Sequence, residues 1–232
     1  GQDGLIDFGG TIREELNGKI EEYYSCTDHQ QKKQLQRDIN DLVHQQIVES
    51  GQVVQGFEHI DVAANQDFFL WHTWFSDVFN RPQGCNGFDI VIGNPPYISA
   101  LEAKKILSEE IRNGYKRSFQ SATGAYDMYI IFIELGLSML TPNGTLAFIT
   151  PSKYLSAEYA IGLRSYILSG HSLAHISDYS SVKVFESAGV STLVSIIRRM
   201  AQQPEVTFTS YRSLTDIITH HRYPSSVLTA LP

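Results

Sequence analysis

The sequence predicts an α/β protein: part of a doubly wound sheet, preceded by a helical hairpin. Short apolar runs at 88–92, 145–150, 173–178 and 190–198 alternate with segments of helical periodicity at 126–140 and 157–168, the rhythm of a sheet covered by helices. Prolines and glycines bound these runs and do not interrupt them. Upstream, residues 11–48 are polar, with apolar residues recurring three and four apart, the spacing of one buried helix face.

In chain order, residues 1–10 are glycine-rich and read as linker; Asp7-Phe8-Gly9-Gly10 lacks the spacing and the preceding strand of a nucleotide loop. Leu16, Ile20, Tyr23 and Tyr24 mark one helix; Leu35, Ile39, Leu42, Val43 and Ile47 mark a second, with Thr27-Asp28 placed to cap it. Residues 66–80 are aromatic-dense, and Phe68, Phe69, Trp71, Trp74, Phe75 and Phe79 read as packing rather than as a platform for bases. Phe88, Ile90, Val91 and Ile92 then form a buried strand that Gly93-Asn94-Pro95-Pro96 stops. Residues 99–124 read as a loop with one short helix. Lys104, Lys105, Arg112, Lys116 and Arg117 there are mixed with Glu102, Glu109 and Glu110, so they are either a basic patch beside the proline turn or a solvated face of i,i+4 pairs. A helix over 126–140 ends at the tight turn Thr141-Pro142-Asn143-Gly144, and a helix over 157–168 ends at Gly170, expected as an αL cap. These boundaries divide the chain into a linker and hairpin (1–65), a sheet domain (66–200) and the start of a further module (201–232), where the rhythm is lost.

A chain of 232 residues with 42% hydrophobic and 19% charged residues is long enough for one substantial core. No apolar segment is long enough to span a bilayer and no signal-like segment opens the chain. The two cysteines, Cys26 and Cys85, suggest neither a disulfide framework nor a metal site, which makes a reduced cytoplasmic compartment the expectation. The net charge of −7 argues against a chain that by itself grips a nucleic-acid backbone tightly.

The chemistry concentrates at 88–98, FDIVIGNPPYI. Each proline fixes its own φ, lacks an N–H and holds its predecessor extended, so Asn94, Pro95 and Pro96 make a stiff turn at the C-terminal end of a strand, where ligands bind in open α/β sheets. The Asn94 side-chain carbonyl and the Pro95 backbone carbonyl offer two acceptors to a planar –NH₂ group. Such a nitrogen is a poor nucleophile, because its lone pair is delocalised. Hydrogen bonds from both its protons favour the transition state in which that pair localises and attacks an electrophilic methyl group, with no strong base required. Tyr97 adds an aromatic face for a planar substrate. Asp77, shortly before the strand, stands near where a carboxylate could meet a cofactor.

GNPPYI resembles the catalytic motif of S-adenosylmethionine-dependent N6-adenine DNA methyltransferases of the gamma class. Residues 125–150, AYDMYIIFIELGLSMLTPNGTLAFIT, and 161–198, which contain VKVFESAGVSTLVSII, are similar to that class. The hairpin, the tryptophan-rich segment and GFDIVIGNPPYI together resemble the fused type IIG restriction-modification enzymes, a likeness covering roughly residues 13–200. The resemblance implies a partial Rossmann-like methyltransferase sheet, mostly parallel with an antiparallel last strand. It implies that Asn94, Pro95 and Pro96 form the catalytic turn, that Tyr97 stacks on an adenine flipped from double-stranded DNA, and that Phe185 contacts the same base. Phe132, otherwise a core residue, would pack on the adenine of S-adenosyl-L-methionine, and Asp77 would hydrogen-bond that adenine's amine. The family's glycine-rich cofactor loop has no counterpart in these residues. The expectation is therefore a fragment of a larger enzyme, inactive alone, with a target-recognition domain after residue 200 and possible fusion to a nuclease. Two alternatives stay open: an RNA or protein-glutamine N-methyltransferase with the same turn, and a non-catalytic module of a restriction complex.

Overall fold

The computed structural model describes residues 10–49, 61, 63, 69–81, 84–185 and 190–229. The chain divides into two compact units, Gly1–Asn80 and Arg81–Pro232, later in the sequence than the 65/66 boundary expected above.

The first unit holds the expected hairpin, α1 (Gly10–Ser25) and α2 (His29–Glu49). The Asp28 side chain accepts from the Gln31 amide at 2.7 Å, the bond of an N-cap that satisfies one of the helix's orphan amides. Leu16 and Ile20 of α1 face Ile39, Leu42 and Val43 of α2 in one buried cluster, and Lys19 joins Asp38 at 2.7 Å. The described part of the aromatic run forms two single turns, α3 (Trp71–Trp74) and α4 (Ser76–Phe79). Trp74 is buried in the hairpin's cluster, and its ring lies 5.3 Å from that of Tyr23. This is the physical reason for the later boundary: the run's indole covers the hairpin's apolar stripe. Phe68 lies outside the described residues.

The second unit is a sheet flanked by helices. Its elements are β1 (Phe88–Gly93), α5 (Ala100–Ile106), α6 (Glu109–Ser118), α7 (Met128–Ser138), β2 (Leu140–Pro151), α8 (Ile161–Gly170), β3 (Ser172–Asp178), β4 (Thr192–Arg198), β5 (Glu205–Tyr211), β6 (Ile217–Pro224) and α9 (Ser226–Thr229). The strand order is β1-β2-β4-β3-β5-β6. β1 and β2 pair in parallel, as do β3 and β5, whereas β2/β4, β3/β4 and β5/β6 are antiparallel. The sheet is thus mixed and not mostly parallel. The cause lies in the connections: β1 and β2 are joined through helices, as a parallel pair requires, whereas β4 follows β3 without an intervening described helix and reverses beside it. Residues 205–224, which showed no rhythm in the sequence, add two strands to this same sheet.

Three local expectations change. The turn at Thr141–Gly144 exists, with Asn143 at φ 67, but it lies inside β2: Phe88 pairs with Leu140 and Ile90 with Thr145, so the turn bulges out of one strand of the pair. Gly170 ends α8 without positive φ, and the cap is His171 in an extended conformation. Residues 99–124 carry two helices, each started by a serine that accepts an amide hydrogen bond; Ser99 and Glu102 complete a capping box.

α7 is buried nearly all round against the sheet. Gly136 allows this approach, since a Cβ there would stand 2.5 Å from a Leu146 methyl. Among the described residues no helix is long and apolar enough to cross a membrane.

Candidate functional site

The parallel strands β1 and β2 deliver their C-terminal ends to the same edge of the sheet, with Gly93 opposite Phe148. A side chain on Gly93 would stand 2.9 Å from the Phe148 ring, so glycine lets the strand run flat against its neighbour up to the turn. Beyond it Asn94 is exposed, Pro95 buried, Pro96 exposed and Tyr97 half-buried. The buried proline anchors the turn and leaves Asn94 outward. Neither the Asn94 side chain nor the Pro95 carbonyl accepts a hydrogen bond among the described residues, so both acceptors are unspent.

The turn is held from three sides. Tyr97 donates its hydroxyl to the Ile149 carbonyl of β2 at 3.0 Å. The Ile98 carbonyl accepts from the Met128 amide at the start of α7 at 2.8 Å. Asp127 accepts from the Ala100 amide at 3.1 Å and from the Tyr159 hydroxyl at 3.0 Å. Because the Tyr159 proton is committed to Asp127, the Tyr129 hydroxyl, 2.8 Å away, is the donor to Tyr159. Burial pushes the Tyr129 and Tyr159 phenols above their ordinary pKa, so both remain donors. This chain of bonds fixes the exit of the turn against α7 and the segment before α8. Its members are positioning residues that the sequence reading did not single out. Asp127 immediately before an apolar helix was the available signal, although it uses its carboxylate on Ala100 and Tyr159 and not on its own helix.

The Tyr97 ring sits between two others. Tyr129 meets it edge-on at 6.5 Å and 72°, and Phe185 at 6.3 Å and 78°. The structure therefore brings together Tyr97 and Phe185, residues far apart in sequence. Phe132 is on α7, one turn beyond Met128. It is 36% exposed on a helix whose other large side chains are mostly buried, so it is not the core residue its periodicity suggested. No ring contact joins it to Tyr97. Asp77 is exposed in α4 of the first unit. Among the described residues no cluster of His, Cys, Asp and Glu could hold a metal ion.

An exposed amide oxygen and a free carbonyl on a stiff turn, beside an anchored ring, can take two hydrogen bonds from a flat amine and stack on it. Residues 13–185 match the family described as Eco57I restriction-modification methylase. The chain is 28% identical over 112 residues to the type II restriction enzyme and methyltransferase RM.Eco57I of Escherichia coli, covering 48% of this chain and 11% of that protein. It is 32% identical over 104 residues to the type II methyltransferase M.TthHB8I of Thermus thermophilus, covering 44% and 22%, and 31% identical over 135 residues to M.HincII of Haemophilus influenzae, covering 56% and 24%. Among solved structures, that of the type IIG restriction endonuclease BpuSI overlaps 61% of this chain and 20% of its own, at 19% identity and a TM-score of 0.46. The chain spans no more than about a quarter of the length of these relatives. With the family model matching most of its length, this chain belongs to the Eco57I restriction-modification methylase family.

Proposed function

We propose that the chain is the catalytic half of an enzyme that methylates the N6 amine of an adenine flipped out of duplex DNA, in a restriction-modification system. The observation that carries this is the pair of unspent acceptors, Asn94 and the Pro95 carbonyl, at the C-terminal end of β1. A flipped adenine offers two N–H donors in one plane, and two acceptors satisfy both. As the nitrogen attacks, its lone pair leaves the ring π-system, and acceptors already in place stabilise the positive charge that develops on the amine. The surplus proton leaves to water. Tyr97 would stack on the base and Phe185, whose ring lies 6.3 Å from that of Tyr97, would contact the same base, as the resemblance implies.

S-adenosyl-L-methionine, when bound, supplies the electrophilic methyl group. In the second unit Phe132 offers a partly exposed aromatic surface for an adenine ring, which supports that part of the reading; Asp77, which the resemblance assigns to the adenine's amine, is exposed in the first unit. Further contacts would come from sequence outside this chain. β1 supports that reading, because among the described residues it pairs only with β2 and leaves Ile90 and Ile92 exposed. Residues 201–232 would begin the target-recognition module as an extension of the sheet.

A labelled-methyl assay of the complete enzyme on duplex DNA, RNA and protein tests this. Label on adenine N6, abolished by Asn94→Ala, is the expected result. Label on RNA or a protein glutamine would reassign the substrate, and no label on any of them would favour a non-catalytic module.

A further inference from the structure

Three cations converge on one cleft outside the site just described. Lys104 of α5 and Arg112 and Lys116 of α6 line an opening of about 110 Å³, with Gly124, Ala125 and Tyr126 on its other side. Arg112 and Lys116 are four apart and so share a helix face. The carboxylates of the same segment do not neutralise them. Glu102 accepts from the Ser99 amide at 2.9 Å and the Ser99 hydroxyl at 2.7 Å, and Glu109 and Glu110 occupy the first turn of α6, where negative charge complements the helix end. Among the described residues none of the three cations joins a salt bridge. The Arg112 Nε is buried without a hydrogen-bond partner, which is costly for a charged donor. The i,i+4 pairing that would make this a plain solvated face is therefore not what the structure has.

We propose that this cleft binds a phosphate group, and that in the complete enzyme it is a backbone phosphodiester of the DNA strand that presents its base to Asn94 and Tyr97. Unneutralised cations around one opening repel each other and are stabilised by an anion between them. A guanidinium fork and two ammonium groups suit the several oxygens of a phosphate. The opening is large enough for a tetrahedral oxyanion and the waters around it. Ala100, on the cleft wall, lies three residues after Tyr97, within about 11 Å along the chain. In a chain of net charge −7, a local basic cleft is where a polyanion can be held. Only the source of the phosphate rests on the methyltransferase reading; the anion site does not.

The test is amide NMR on the 232-residue chain with two probes, inorganic phosphate and a 20-base-pair duplex. Both should shift the Gly124, Ala125 and Tyr126 signals. Lys104→Gln with Lys116→Gln should raise the apparent Kd for phosphate at least tenfold, and Lys104→Arg with Lys116→Arg should restore it. Both lysines are exposed, so the fold is not at risk. Replacing all three cations by glutamine should lower the slope of log affinity against log salt for the duplex by about 0.9, the share of one phosphate. No shift with inorganic phosphate overturns the site. A shift with phosphate but not with duplex overturns its assignment to DNA. A duplex that shifts these amides, while the complete enzyme methylates no adenine, sustains the cleft and removes the proposed reaction, so the two failures are distinguishable.

Discussion

The Tyr97 hydroxyl donates to the Ile149 carbonyl at 3.0 Å, which anchors the ring beside Asn94 by its far end to the neighbouring strand. Burial holds this phenol above its ordinary pKa, so the proton stays on oxygen and is spent on the backbone. Tyr97 is therefore a hydrogen-bond donor that contributes its ring and not its acidity. Tyr97→Phe should cost about 0.5–1.5 kcal/mol of stability, read from urea unfolding, and change methyl transfer by the complete enzyme only a few-fold. Tyr97→Ala, which removes the stacking face, should lower transfer about 10- to 100-fold, in keeping with about 1–3 kcal/mol for stacking on a base. Equal losses in the two variants would show that the hydroxyl takes part in the chemistry.

Asn94 is exposed and makes no hydrogen bond among the described residues, so folding does not depend on it. Asn94→Ala should leave the urea midpoint of the chain nearly unchanged, within about 0.5 kcal/mol. In the complete enzyme the same change should lower kcat by about 10²–10³, as when one preorganised partner of a developing charge is removed, with KM for DNA little altered. A fall in affinity with kcat intact would make Asn94 a binding residue only.

How far the site was legible in the sequence depends on how local each signal is. The strand 88–93 and its proline stop are written in consecutive residues and the structure keeps both, but the burial expected of the strand fails: β1 ends the strand order and Ile90 and Ile92 are exposed. Phe185 was reachable only through family resemblance, because nothing in periodicity pairs VFESAG with a tyrosine in an earlier loop. The Asp127–Tyr159–Tyr129 chain was not legible, since it joins a loop, a helix and a 3₁₀ turn. The start of α5 in 99–124 could have been found: Ser99 with Glu102 is a capping-box spacing. The mixed pairing of the sheet was hidden for another reason. A strand's sequence records which face is buried, not the direction of its neighbour.

His171 gives a pH dependence. It is buried between α8 and β3 with its ring 5.0 Å from that of Tyr166, and burial, the largest influence, lowers its pKa below the ordinary imidazole value. The unfolded chain takes up a proton near pH 6.5 while the folded one resists, so the unfolded state binds more protons in that window and stability falls as pH drops below about 6.5. Urea midpoints at pH 7.5 and 5.5 should fall for the natural chain and fall less for His171→Phe. Identical falls would place the effect on other groups, His175 among them, whose pKa burial also lowers.

The 232-residue chain alone should transfer little or no methyl to duplex DNA under conditions in which the complete enzyme is active. The chain spans about a quarter or less of RM.Eco57I, M.TthHB8I and M.HincII, and its proposed cofactor contacts are Phe132 and Asp77. A tritium-transfer assay at equal molar concentrations measures this, and robust N6 labelling by the chain would contradict it.

Ile90 and Ile92 are 63% and 78% exposed on β1, a strand paired on one side only among the described residues. An apolar edge of this kind templates pairing with another strand. In the 232-residue chain, Ile92→Lys should change stability by no more than about 0.5 kcal/mol and reduce self-association, followed by sedimentation velocity. In the complete enzyme the outcome should reverse. If further strands and helices cover this edge, the lysine is buried without a partner and costs about 3–5 kcal/mol, seen as a lowered unfolding midpoint and lost activity. The contrast between the 232-residue chain and the complete enzyme is the decisive quantity, because a true outer edge would tolerate lysine equally in both.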